Sequence, residues 1–341
     1  MKKFLLLITV IFVVITVTTC AEKKDDTVTL LTHDSFWISE GVFEEFTQQT
    51  GVNVEVQMAG DTGQLLASAI LTSSNPSADV IFGIDNTFLQ RALNADIFAV
   101  YESPSLSKVS EEIQLDTQHR VTPIDFGDVC INYWIDSFSS DLPPPKNLDD
   151  LIDSKYSGQL VVQNPETSSP GLAFFLATIA EYGDDWELWW AALRDNDVTV
   201  TSGWEDAYEV EFVAGGGEHP LVVSYASSPP AEVIYAETPI DSPPTGVLTD
   251  TCFRQIEFAG VVNGTKNQEA AENLIDFMLS NTFQQDIPNS MLMFPASNEA
   301  ELPATFAEFA EVVEDPYMLD PEIIERNRNN WTERWTQIVL R

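Results

Sequence analysis

Past position 26 the chain consists of short apolar runs and amphipathic stretches, punctuated by glycine, proline and asparagine. Residues 27–31 read as a first strand, and THDSF follows as a loop. SEGVFEEFTQQTG then predicts a helix with Val42, Phe43 and Phe46 on its apolar side, Ser39 as its cap and Gly51 as its stop. VNVEVQMA alternates as a strand does, TGQLLASAILTSSNP reads as a helix ended by Asn75 and Pro76, and ADVIFGID has the continuous apolar texture of a buried parallel strand. A helix through TFLQRALNAD comes next. Strand and helix recur every 15 to 20 residues or so, which predicts an α/β domain with a mainly parallel sheet.

At VTPIDFGDVCINYWIDSF the texture becomes one long extended segment. Beyond Pro143, Pro144 and Pro145 the alternation resumes, with a strand at QLVVQN, a loop at PETSSPG, a helix from near Leu172, an aromatic helix at DDWELWWAALRDN and a strand running into a loop at LVVSYASSP. The second half repeats the physical design of the first. CFRQIEFAGVV is extended again, and QEAAENLIDFMLS is a helix with Ala271, Leu274, Ile275 and Met278 on one stripe. Such a layout suits two α/β lobes joined by two crossing segments, near 123–133 and 250–260. In the tail from Pro321, Ile324, Trp331, Trp335 and Ile338 fall at helical spacing and are assigned to packing.

Composition narrows the function. The 341 residues suffice for about two domains. The formal net charge of -38 removes nucleic acid and anionic lipid as partners, because both are held by basic side chains. Removing Lys2, Lys3, Lys23 and Lys24 leaves 12 of the 16 basic residues, and removing Glu22, Asp25 and Asp26 leaves 51 of the 54 acidic ones. Most of that charge is expected to be solubilising surface. Residues 1–20, MKKFLLLITVIFVVITVTTC, have the charged start and apolar run of an export signal, and Cys20 at the junction marks a candidate lipid-attachment site. In an exported chain Cys130 and Cys252 form a candidate disulfide, although their strand-like surroundings equally suit two buried thiols.

Enzyme signatures are absent from the sequence: no phosphate loop, no HExxH and no GxSxG elbow, while His33, His119 and His219 share no motif. What stands out is a polar and aromatic set at predicted strand ends, where an open α/β sheet forms its ligand crevice. It comprises Asp34, Ser35 and Trp37, then Asp85 with Asn86, then Thr167, Ser168 and Ser169, then Gly203 with Trp204, and Tyr225 with Ser227 and Ser228, and His33 and Tyr208 are added as candidate ligand-binding residues. Together these offer carboxylates for a positive charge, flat faces for a heteroaromatic cation, and hydroxyls for an oxyanion.

The blocks LLTHDSFW, SADVIFGIDNTFLQRAL, TPIDFGDVCINY, QNPETSSPGLAFFL, VTVTSGWEDAY, LVVSYASSP and QQDIPNSMLMFPAS occur in that order along nearly all of the mature chain. In this the chain resembles the thiamine-binding receptors of bacterial ABC importers, within a wider class that also takes ferric iron, polyamines and phosphonates. The resemblance implies a periplasmic-binding-protein-like class II fold, with lobe 1 at 27–126 plus 255–320, lobe 2 at 127–254, a C-terminal helix at 321–341 packed on the lobes, and hinges near 126–128 and 250–252. It implies a monomer without a cofactor that captures thiamine or its phosphate esters outside the cytoplasmic membrane and delivers them to a permease and its ATPase. At matching positions Asp85 would face the cation or aminopyrimidine, Trp204 and Tyr225 would form aromatic walls, and Ser168 and Ser169 at a helix start would suit a phosphate. Two positions depart from the pattern. His33 stands where tyrosine is usual, and Leu292 stands where tryptophan is usual, leaving His33, Trp37 or Phe294 to supply that wall or a related cation to be the ligand. A ferric or phosphonate receptor and an extracellular hydrolase, with Asp34 and Asp85 or Glu166 and Asp85 as paired carboxylates, are the competing readings.

Overall fold

The computed structural model describes residues 27–341, so the leader and Cys20 lie outside the described residues. Strand β1 (Thr27–Thr32), helix α1 (Val42–Thr50), β2 (Asn53–Met58), α2 (Thr62–Thr72), β3 (Val80–Asp85) and α3 (Leu89–Asn94) open the first lobe. β1 pairs in parallel with β2 on one side and β3 on the other. Every residue of β3 is buried, which explains its unbroken apolar run. α1 begins later than the sequence suggests. Its cap is Gly41 in the left-handed region (φ 97°), not Ser39, and Glu44 accepts the Gly41 N–H at 2.8 Å. Gly51 ends the helix, also left-handed, and donates to the Thr47 carbonyl.

β4 (Thr122–Trp134) leads into the second lobe, formed by β5 (Leu160–Gln163), α4 (Ser169–Tyr182), α5 (Trp186–Asp195), β6 (Thr199–Thr201), a π-helical segment (Asp206–Ala214), β7 (Leu221–Tyr225) and α6 (Pro229–Ile234). The 17-residue β8 (Thr245–Val261) returns, followed by α7 (Gln268–Met278), α8 (Asn281–Ser290), β9 (Phe294–Pro295), α9 (Ala304–Phe309) and α10 (Pro321–Val339). The strand order is β2-β1-β3-β8-β4-β7-β5-β6, with β9 added to β4. The two long strands are antiparallel neighbours and belong to both lobes. β8 meets β3 between Glu257 and Val261, whereas β4 meets β7 between Val129 and Tyr133. The chain therefore changes lobe twice within two adjacent strands, and a disulfide joins Cys130 of β4 to Cys252 of β8 beside that passage.

α10 packs on both lobes. Its Trp335 is fully buried edge-on against Trp190 of α5, and Arg91 of α3 reaches Glu325 at 3.3 Å. An amphipathic helix with a buried tryptophan is held by apolar burial far more than by its exposed ion pairs.

Candidate functional site

A cleft of about 310 Å3 opens at the lobe junction. From the first lobe it is lined by His33, Ser35 and Trp37 of the loop after β1 and by Asp61 and Thr62 at the start of α2. From the second come Ser169, Trp204, Glu205, Glu209, Tyr225 and Ser228. Glu257 of β8 and the stretch 290–293 complete the lining.

The second-lobe wall is aromatic, and its polar groups are satisfied. Trp204 stacks on Tyr208 with centroids 4.9 Å apart and planes 11° from parallel, so one ring face is covered from behind. Its indole N–H donates to Ser224 Oγ at 2.9 Å, and Ser224 in turn bonds Ser228 at 2.9 Å. Tyr208 is buried behind the wall and donates to Glu232 at 2.9 Å. The Tyr225 hydroxyl donates to Gln255 at 2.8 Å, whose amide donates to Ser169 Oγ at 3.0 Å. Both rings are therefore fixed in orientation, leaving Trp204 as a half-buried flat surface that suits a heteroaromatic cation.

Asp61 links the lobes across the cleft. Its carboxylate accepts the Thr62 N–H at 2.7 Å as cap of α2, the Ser169 N–H at 3.1 Å at the first turn of α4, and the Trp204 N–H at 3.3 Å. Burial pushes its pKa up, while hydrogen bonds from Ser168, Ser169 and Thr62 pull it down. The Thr62 hydroxyl adds bonds to the Gly83 carbonyl at 2.9 Å and Ser169 Oγ at 3.2 Å. Sequence reasoning missed Asp61. The available signal was its position directly before TGQLLAS, where an N-cap belongs.

The structure brings His33, Ser35, Trp37, Ser169, Trp204, Tyr225 and Ser228 to the cleft, but not the other expected residues. Asp34 is exposed outside the lining and donates its N–H to the Gly60 carbonyl at 3.0 Å. Asp85 is wholly buried beneath the surface, where one oxygen accepts from the Thr87 hydroxyl at 2.8 Å and from the Thr87 and Phe88 N–H groups at 3.2 Å each. It closes the turn after β3, which accounts for the need for an acid there. Asn86 bonds the β8 main chain at Arg254 and Ile256, both at 3.0 Å. Ser168 is the buried N-cap of α4. Phe294 is turned away and stacks on Phe126 at 5.5 Å, so beside Leu292 the cleft has Met291 and Met293, with Tyr235, whose hydroxyl donates to the Asn289 carbonyl, as the ring from the facing lobe. His33 lies against β3 because Gly83 has no side chain, and a Cβ there would come within 2.3 Å of the imidazole.

The floor is acidic and poorly compensated. Glu257 is 5% exposed and lies 3.7 Å from His33 Nε2. Burial lowers the His33 pKa to about 4, so the ring is neutral at physiological pH. Among the described residues no group of three or more His, Cys, Asp or Glu is arranged to hold a metal ion.

Comparison with known proteins agrees with this geometry. The model of the bacterial extracellular solute-binding protein family matches residues 75–308. The thiamine-binding periplasmic protein of Salmonella typhimurium is 30% identical over 319 residues, covering 92% of this chain and 94% of its own. That of Brucella suis is 30% identical over the whole of both chains. Among solved structures, a periplasmic thiamin binding protein superposes with a TM-score of 0.82 at 27% identity, over 92% of this chain and 96% of that one. A ferric binding protein from Campylobacter jejuni shares the fold, with a TM-score of 0.75 at 21% identity over 91% of this chain and 99% of its own. A hinge-like pair of strands, a cleft between two lobes and a family match across most of the chain converge: this protein belongs to the bacterial extracellular solute-binding proteins.

Proposed function

We propose that the cleft binds thiamine outside the cytoplasmic membrane and hands it to the permease and ATPase of an ABC importer. The protein is a receptor, not an enzyme. The observation that carries the ligand assignment is the pairing of one fixed aromatic face, Trp204 backed by Tyr208, with the buried carboxyls Glu257 and Asp61 across the same cleft. A flat cation satisfies both, since the ring quadrupole and a carboxylate each favour positive charge. The thiamine-binding relatives, aligned over nearly their full lengths, support this reading.

The start of α4, where a phosphate ester would be expected to bind, is occupied by Asp61. An ester must displace that carboxylate, so unphosphorylated thiamine is the preferred ligand. Closure of the lobes about 126–128 and 250–252 is the functional motion, with Asp61 as its cross-lobe latch. The mature protein acts as a monomer tethered through a lipidated Cys20.

Calorimetric titration with thiamine, its mono- and diphosphate, and spermidine tests the assignment. Thiamine is expected to bind with micromolar affinity or better, ahead of both esters and spermidine. Absence of thiamine binding below about 100 μM would overturn it.

A further inference from the structure

Beneath the cleft, three carboxyls form a row across adjacent strands. Asp85 of β3 stands opposite Glu257 of β8, and Glu257 stands opposite Asp125 of β4. Directly paired residues on neighbouring strands project from the same face, so the three side chains are neighbours. All are buried, at 0%, 5% and 0% exposure respectively. As carboxylates they would leave both Asp125 oxygens and one Asp85 oxygen without any donor. Buried acceptors are rarely left so, and a proton on one acid supplies the missing donor to its neighbour.

Groups from every surrounding element fail to neutralise the row. His33, from the loop after β1, is neutral, and its buried Nε2 has no hydrogen-bond partner although the ring lines the cleft. Asp61 on α2 adds negative charge, and Tyr225 at the end of β7 is held uncharged by burial, its hydroxyl given to Gln255. Arg254 of β8 is committed to Asp128 through two hydrogen bonds. Among the described residues, Arg328 of α10 is the cation that acts on the row. It favours ionised Asp85 while its guanidinium lies 3.5 Å over the Phe88 ring. Glu205 and Glu209 at the mouth, and Asp34 outside the lining, are exposed acids. One arginine does not compensate three stacked buried acids, because like charges at such spacing do not ionise together.

We infer that the Asp85–Glu257–Asp125 row stores at least one proton in the ligand-free protein and releases it to solvent when an organic cation enters the cleft, so that capture is coupled to proton release. The entering charge takes the proton's place beside Glu257, the member of the row that lines the cleft. Burial supports this direction. It raises Asp85 to about 7 and moves Asp125 and Glu257, whose titrations are linked, upward as well. The inference deepens the proposed function and rests on the cation half of that reading.

Thiamine keeps its thiazolium charge from pH 6 to 8, so titration calorimetry over that range reads the coupling. Affinity is expected to rise about three- to tenfold per pH unit, and the apparent enthalpy to differ between phosphate and Tris buffers with the sign of proton release. Asp125→Asn, which is not a cleft residue, should flatten both dependences. Tight binding with flat affinity and buffer-independent enthalpy would overturn the proposal. Infrared spectroscopy of the unliganded wild-type protein at pH 7 provides a readout that needs neither ligand nor variant: a protonated-carboxyl stretch is expected, and its absence overturns the proposal. If thiamine fails to bind while that band is present, the thiamine reading falls and the stored proton stands.

Discussion

The cleft has two sides of opposite character. On the second-lobe wall each polar atom that orients a ring has a partner: Trp204 with Ser224, Tyr208 with Glu232 and Tyr225 with Gln255. On the floor His33 Nε2 has no hydrogen-bond partner, and beneath it neither do one oxygen of Asp85 and both of Asp125. A satisfied wall is a rigid surface whose shape selects by stacking. A floor of buried acids with little compensating charge is relieved by an entering cation, so it selects by charge rather than by shape. On the proposed function, the wall selects which flat molecules fit and the floor selects those that carry positive charge.

The largest expected consequence concerns stability of the empty protein. A carboxyl whose folded pKa lies above its unfolded value stabilises the fold below the unfolded value and loses that stabilisation as pH rises through the folded one. Asp85, raised from 3.8 to about 7, should therefore cost up to ~4 kcal/mol between pH 4 and pH 8. His33 acts oppositely: its pKa is lowered from 6.5 to about 4, so its contribution grows as pH rises from 4 to 6.5 and offsets most of the Asp85 loss there, leaving the net fall to the interval above pH 6. Urea unfolding without ligand should thus show stability falling most clearly from pH 6 to pH 8, with saturating thiamine reducing the fall. Stability that climbs across that interval would contradict the described floor.

Next in size is the wall. Trp204→Ala removes the stacking face and should weaken thiamine binding about thirtyfold, or ~2 kcal/mol, with Trp204→Phe in between. Calorimetry checks this, and unchanged affinity would place the ligand elsewhere. Asp61→Asn is expected to cost about tenfold in affinity, ~1.4 kcal/mol, because an amide nitrogen would face one of the N–H groups of Ser169 or Trp204. Small-angle scattering should show a larger ligand-free radius for this variant, and an identical profile would deny Asp61 its latching role. Smallest are Glu205→Gln and Glu209→Gln at the exposed mouth. Each should change affinity by less than about threefold, mainly through the association rate, and the difference should vanish in high salt.

Legibility from sequence differs in the same way between wall and floor. Trp204, Tyr225 and Ser228 were identifiable because they follow short strands, and strand ends in an open α/β sheet meet at the crevice. Asp85 was identified at a strand end too, but whether its carboxyl faces ligand or closes a turn depends on Thr87 and Phe88, whose N–H groups are local yet compete with any ligand. Glu257 lay unnoticed inside an extended run, and Asp125 likewise, because an acid in a strand is unremarkable until its cross-strand neighbours are known. Ser39 suits the cap of α1 by residue type, because serine is a common cap. The backbone turn required a left-handed residue instead.

The sequence by itself determined the alternation of elements, the two long extended passages, the amphipathic tail with its buried tryptophan, and the aromatic character of the cleft. These follow from periodicity and composition, which act over a few turns of chain. Only the tertiary structure decided that Asp85, Glu257 and Asp125 share one row and that Asp61 spans from α2 to α4 and Trp204. Pairing register and lobe contact join residues more than a hundred positions apart, and no local pattern encodes which acid will end beside another.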